Sequence, residues 1–513
     1  LRVASAEFSA ESMAGTINIV LRKAARKRQR SAKLGYLAAS DFRGPNFNAE
    51  LGDRGERSSY AFTASGNHDT LDREAYGVEE NRAPGGSVDL LRTTVVPERG
   101  HTNRFNLAPR FNWTLDNGDT IAWESMGNGT SFRNHAQPLI TTLAGPAPQV
   151  PDLQTFGEMD DRMIKSDLRW NRKTASGLEF DLKFGAEWSS RKMFVKRLGF
   201  DAGGRLETDG STLTDTHARG VNTTGKATHA AGGGHLLALG WDVRVDDSDD
   251  IRVERDRVRV LPPGVLDERF RAQASRAAVY LQDEWTLGPQ WSVYLGTRLE
   301  GVRTRVLGNS FAPARVTSSV LSPIVQTLYK LPGGKGDQLR LALSRTYKAP
   351  DLFAIVPLRR AWENNSATEA DYQGNPDLKP ELAWGLDAAW EHFWAEGAML
   401  SVSGAVRRID DYTSNRIYFD GARWIFTPAN EDRALMRSID LESKFPLKSV
   451  WAGAPAIDLR ASVSRNWSRV DSVPGPGNRM EQQVPLSANA GIDYKSGALT
   501  TGGSVAYRRG GRV

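Results

Sequence analysis

The chain has no cysteine among its 513 residues, which excludes disulfides, thiolate metal sites and cysteine nucleophiles together. Only 7 His are present. None stands in a His-Glu-x-x-His arrangement or at zinc-site spacing, and neither a Walker loop nor a Gly-x-Ser-x-Gly elbow occurs. No apolar run approaches the ~18 residues that a spanning helix requires. The formal charge of +6, from 67 basic and 61 acidic residues, is too small for this length to indicate a nucleic-acid partner. The composition also excludes a disordered chain, since 14 Trp, 12 Tyr and 19 Phe can bury far more surface than a solvated chain offers. By averages alone, 39% hydrophobic residues and a mean hydropathy of −0.47 describe a water-soluble protein. Its length would suit roughly three or four domains.

The order of the residues contradicts those averages. In the segment Leu178 to Trp188, one face carries Leu178, Phe180, Leu182, Phe184, Ala186 and Trp188. The other carries Glu179, Asp181, Lys183, Gly185 and Glu187. Only a strand separates these sets, because successive side chains point to opposite sides. The same alternation recurs at 105–113, 164–170, 291–299 and 457–463, in roughly twenty segments of the length that crosses a bilayer as a tilted strand. Short turns such as Asp116-Asn117-Gly118-Asp119 and Leu287-Gly288-Pro289-Gln290 alternate with long polar segments near 70–101, 132–161, 195–220, 247–273, 349–380 and 469–483. Tight turns at one end and large loops at the other are the habit of a transmembrane barrel. Trp113, Trp123, Trp170, Trp188, Trp285, Trp291, Trp390 and Trp394 sit near strand ends, where aromatic girdles meet headgroups. The core of a β-sandwich would also hold such aromatics, but not the heavily charged opposite faces. A propeller enzyme would show a repeat of roughly 40–50 residues, and none is present.

Four segments resemble TonB-dependent outer-membrane receptors. Ser5 to Lys23, containing Gly15, Ile17, Asn18 and Ile19, is similar to the end of that family's plug domain. Ala278 to Trp285 followed by Trp291 to Glu300 is similar to a mid-barrel hairpin. Leu343 to Leu352 resembles the Ser-x-x-x-Arg/Lys-Ala-Pro strand end, and Gly374 to Glu381 the Asn-Pro-x-Leu-x-Pro-Glu loop. The resemblance implies an all-β fold, a transmembrane antiparallel β-barrel of about 22 strands with a plug in its lumen. Residues 1–30 would be the C-terminal end of the plug and a linker, and 31–513 an outer-membrane barrel incomplete at its C-terminus. The opening Leu1-Arg2-Val3-Ala4-Ser5 has neither initiator Met nor signal peptide, and the close at Val513 lacks the family's final strand, so a fragment is expected.

The function implied is that of a receptor in the outer membrane of a Gram-negative cell. It would import a scarce solute, a ferric siderophore above all. External loops would capture the ligand, and energy from TonB, received through a segment absent here, would displace the plug. A non-transporting adhesin, or an importer of carbohydrate or cobalamin, would use the same scaffold. No cofactor, metal or catalytic constellation is expected; the partners are TonB, a small ligand such as a ferric chelate, and outer-membrane lipid. In the loop 349–380, Arg359, Arg360, Trp362, Asn364, Asn365, Asp371 and Tyr372 offer guanidinium groups beside aromatics, which suit an anionic, partly aromatic ligand. The basic run Arg22 to Arg30 suits a linker at the plug–barrel junction with some headgroup contact. The acidic stretch Asp246 to Asp250 reads as a solvated external loop, with Ca²⁺ binding the less favoured alternative.

Overall fold

Alternating side chains build one continuous antiparallel wall. The computed structural model describes residues 6–7, 28–83, 85–260, 267–333 and 336–510. The first half of the wall contains β1 (Gln29–Ala38), β2 (Phe42–Arg54), β3 (Ser58–Arg82), β4 (Val88–Thr114), β5 (Thr120–Ala136), β6 (Leu139–Ala144), β7 (Asp152–Lys173), β8 (Glu179–Phe200), β9 (Leu206–Gly232) and β10 (His235–Asp256). It continues through β11 (Asp267–Thr286), β12 (Trp291–Gly308), β13 (Ala314–Lys330) and β14 (Gln338–Lys348). A short helix α1 (Leu352–Ile355) and two short strands, β15 (Arg359–Arg360) and β16 (Asp371–Gln373), interrupt the wall before β17 (Glu381–Ala395) and β18 (Ala398–Asp410). Then come β19 (Thr413–Phe419), β20 (Trp424–Asn430), β21 (Arg433–Pro446), β22 (Ile457–Val470), β23 (Leu486–Ser496) and β24 (Leu499–Arg508).

Twenty of these strands form a single sheet in which each pairs with its sequence neighbour; β5 and β6 share one position between β4 and β7. Among the described residues no pairing joins β1 to β24. The other four strands, β15, β16, β20 and β19, make a small separate sheet. No helix of the described residues is long and apolar enough to cross a membrane.

The two faces of the wall differ as the alternation requires. On β12, Trp291, Leu295 and Leu299 are exposed, whereas Arg298 and Glu300 between and beyond them are buried. On β8, Phe184 and Trp188 point out and Gly185 lies buried on the opposite face. A wall with its leucines outside and its charges inside is stable only if lipid covers the outside. Inward charges are then matched between adjacent strands, as in Lys183–Asp167 at 3.2 Å and Arg407–Asp387 at 2.7 Å. The hairpin turns at one end need left-handed glycine, met at Gly118 (φ 84°) and Gly177 (φ 80°). Seven of the eight tryptophans singled out above cluster at that end. Trp188, with Trp384 and Trp467, lies toward the other.

The polar segments at the opposite end are less loop-like than the sequence suggests. Most of 70–101, 195–220 and 247–273 is strand, and β4 and β9 reach 27 residues each. At about 3.3 Å per residue such strands are far longer than a bilayer is thick, so these hairpins stand well clear of it. Above the bilayer both faces meet water, so the apolar–polar alternation stops while the ladder hydrogen bonds continue. The acidic stretch is corrected on the same ground. Asp246 to Asp250 lie inside β10, where Asp246 pairs with Arg244, Asp247 with Arg219 and Arg271, and Asp250 accepts from Thr216. No cluster fit to hold a metal ion occurs among the described residues.

Candidate binding site at the mouth

The connection from β14 to β17 turns into the mouth of the wall because its first half is apolar. Asp351 caps α1 by accepting from the Phe353 N–H at 2.7 Å. Ile355, Val356, Leu358 and Leu378 then pack on Ala272 of β11 and Val306 of β12. The chain beyond reaches several other connections. Asn364 clamps Val150, accepting from its N–H and donating to its carbonyl, both at 2.9 Å. Glu363 pairs with Arg197 at 2.6 Å, and Thr368 donates to Glu79.

Asp371 organises this cap. Fully buried, it accepts from Arg423 (2.7 and 2.8 Å), Arg359 (3.1 Å), Asn365 (2.9 Å) and the Trp362 N–H (3.0 Å). Burial pushes its carboxyl upward, but the bonds from Arg423, Trp362 and Arg359 outweigh this and hold it below the ordinary carboxylate value. Asn365 extends the hub by exchanging hydrogen bonds with both backbone groups of Trp424, at 2.8 and 2.9 Å. Two distant connections are thereby fused into the small sheet, in which β16 runs parallel to β20.

The residues singled out in the sequence therefore divide. Arg359, Asn364, Asn365 and Asp371 use most of their polar atoms on the cap's own fold, although Arg359 Nη2 is buried without an acceptor. The side chains of Arg360 and Trp362 are not consumed in this way, whereas the Tyr372 hydroxyl donates to the Phe353 carbonyl at 3.4 Å. The Arg360 guanidinium lies 3.8 Å over the Phe353 ring, and no carboxylate pairs with it among the described residues. Burial, then the neighbouring positive charge of Arg252, lowers its pKa, with Glu268 opposing. It remains a cation at neutral pH. Phe353 stacks on Tyr372 (5.7 Å), which in turn faces Phe426 (6.1 Å). The Trp362 side of the cap is open, with that residue 52% exposed. Sequence reasoning missed Arg423, Phe353 and Phe426. Arg423 meets Asp371 across 52 positions of chain, which no local pattern reveals.

A second polar centre lies in the lumen. Arg298, with no exposed surface, pairs with Asp242 (2.9 Å) and Glu300 (2.6 Å), and Tyr347 donates to Glu300. The N-terminal segment reaches it. The Ala6 N–H donates to Tyr294 Oη at 2.7 Å, and Glu7 pairs with Lys226 at 2.8 Å. The plug-end motif Gly15, Ile17, Asn18 and Ile19 lies outside the described residues.

A family model described as TonB dependent receptor-like, beta-barrel matches residues 24–513. Among solved structures, the ferric citrate transporter FecA in its unliganded form superposes with a TM-score of 0.66 at 14% identity, covering 99% of this chain and 70% of that one. The copper transporter OprC gives 0.64 at 15%, covering 94% and 70%. The siderophore receptor PirA from Pseudomonas aeruginosa gives 0.61 at 13%, covering 99% and 77%. At these identities the likeness is one of fold. No curated protein matches the sequence.

Proposed function

The chain belongs to the TonB-dependent receptors, a family of outer-membrane barrels that are transporters and receptors, and from that premise we propose that it imports an anionic, ring-bearing metal chelate, most simply a ferric siderophore. The observation that carries the reading is Arg360. A half-buried guanidinium held 3.8 Å over an aromatic ring, without a carboxylate, keeps N–H groups for an anionic acceptor. Arg359 Nη2 next to it is a second buried donor without a partner. The exposed Trp362 supplies a stacking face for ring systems, and Tyr372 braces the Phe353 ring against which Arg360 rests. Arg359, Asn364 and Asp371 act as positioning residues that fix the loop. The ligand would enter from the outer surface of a Gram-negative outer membrane, and TonB would supply the energy for passage.

FecA, a ferric citrate transporter, and PirA, a siderophore receptor, support this class; OprC, a copper transporter, shows that the fold is not limited to iron. The test is expression of the encoding gene in a receptor-deficient host, with uptake measured for a panel of ferric siderophores. Uptake that requires TonB and falls in Arg360→Gln is expected. Binding without uptake in a TonB-competent host would favour a non-transporting surface receptor. Neither binding nor uptake of any anionic chelate would overturn the ligand class.

A further inference from the structure

The lipid-facing side of the wall is dented where β9 nears the turn end. Two neighbouring rungs of the ladder cross that place from β7 to β10, Trp170–Leu182–Gly225–Trp241 and Arg172–Phe180–Ala227–Leu239. Strand parity puts all eight positions on the face that carries the exposed Leu168, Phe184 and Val221. β9 therefore sets first no side chain and then a single methyl between rows of large apolar groups. A Cβ at Gly225 would run into the Trp241 ring, so the indole lies down over the strand there. The result is a groove of about 460 Å³, walled by Trp170, Phe180, Leu182 and Trp241 and lined along β9 by Ala227.

A hollow on this face is costly either wet or empty. Water in it would hydrate apolar walls, and a void would forfeit their dispersion contacts. The solvent around it is lipid, so an acyl chain is the occupant that suits the walls. The groove also has a polar end. Arg172 borders it one residue before β7 ends, on the side of the hairpin turns, with its side chain 48% exposed. Asp119 lies 4.0 Å from its Nε, but that carboxylate is buried and its other oxygen accepts from Trp170 Nε1 at 3.1 Å. The Arg172 guanidinium makes no hydrogen bond among the described residues. Lys226, which also borders the groove, turns its ammonium to Glu7 in the lumen. A single available cation, at the level where indoles meet headgroups, complements a phosphate joined to a chain.

We propose that this groove is a binding site for one phospholipid of the leaflet at the turn end, with an acyl chain lying over Ala227 between Phe180, Leu182 and Trp241 and the phosphate held by Arg172. A soluble phosphate leaves the apolar walls uncovered, and a lipid without phosphate leaves Arg172 without its acceptor.

The test is native mass spectrometry of the purified protein, titrated in detergent with phosphatidylglycerol, diacylglycerol or glycerol 3-phosphate. Ala227→Phe fills the groove and should lower affinity for phosphatidylglycerol about tenfold or more. Arg172→Gln should lower it about fivefold and leave diacylglycerol binding unchanged. Val325→Phe, an enlargement at an exposed lipid-facing position on β13 far from the groove, should change it by less than about twofold. Equal affinity in Ala227→Phe and the wild type would overturn the proposal, as would an equal loss in Val325→Phe or glycerol 3-phosphate binding as tightly as the lipid. An unchanged affinity in Arg172→Gln would overturn the phosphate contact. Folding is read from heat-modifiable electrophoretic mobility. If Ala227→Phe fails that check, Ala227→Leu takes its place, and an unchanged affinity there overturns the proposal equally.

Discussion

The wall and the cap are held by different physics. In the wall the same rule is repeated along every strand, with apolar residues out, charges in and each ladder hydrogen bond like the next. In the cap a single buried carboxylate, Asp371, gathers two arginines, an asparagine and a backbone N–H from two connections. A repeated rule spreads its stability over many residues and fails only when a face is reversed. A hub concentrates stability and fails at one atom. The difference teaches where function can sit, because the hub leaves its neighbour Arg360 without a carboxylate while fixing its position.

The contrast breaks most sharply at the hub. Asp371→Ala leaves two guanidinium groups buried without their carboxylate and should cost the cap about 3–5 kcal/mol. Hydrogen exchange should rise across 359–373 and 413–430 while β7 to β10 stay protected. Exchange unchanged in the cap would remove Asp371 from its central place.

The wall's rule is reversed by Phe184→Arg, a charge placed on the lipid face, which should cost about 2–4 kcal/mol near the bilayer midplane. Lys183→Arg, one residue away on the lumen face, should cost little, and chemical unfolding in detergent or liposomes reads the pair. Equal effects would deny that the two faces meet different solvents.

Asn364→Ala probes the clamp on Val150 and should cost about 1–3 kcal/mol of local stability, since two backbone groups lose their partner. The readout is exchange at residues near 150 against the rest of β7.

Acid has the smallest effect. Asp371 titrates below its ordinary value of 3.8 in the folded cap. Its stabilisation is therefore complete above the unfolded carboxylate pKa and is lost as pH falls through the lower folded value. The cap should keep its exchange protection from neutrality to about pH 5 and loosen only below the ordinary carboxylate range. Loosening near neutral pH would contradict the depressed carboxyl.

The wall was legible in the sequence and the cap was not, for the same reason. Period-two alternation at 178–188 or 291–299 is a local signal, so strand, face and turn end could be read directly. The composition table concealed it by averaging a lipid face with a charged lumen face. Legibility ended where the bilayer ends: the outer halves of β3, β4, β8, β9 and β10 read as loops because water on both faces erases the alternation. In the cap, loop 349–380 was singled out for its charges and aromatics. Which arginine is locked and which is open depends on Arg423 and Asp420, partners in another connection. Arg359 and Arg360 are indistinguishable in sequence. Their roles diverge only because one side chain reaches Asp371 and the other lies on Phe353.

The most direct measurement is a binding titration of ferric siderophores to the wild type and to Arg360→Gln, followed by tryptophan fluorescence, with Trp362 as the nearest exposed reporter. Loss of one charge-assisted contact predicts a Kd raised about tenfold or more, with exchange protection of the cap unchanged. An unaltered Kd in a variant with an intact cap would show that the mouth does not capture its ligand through Arg360.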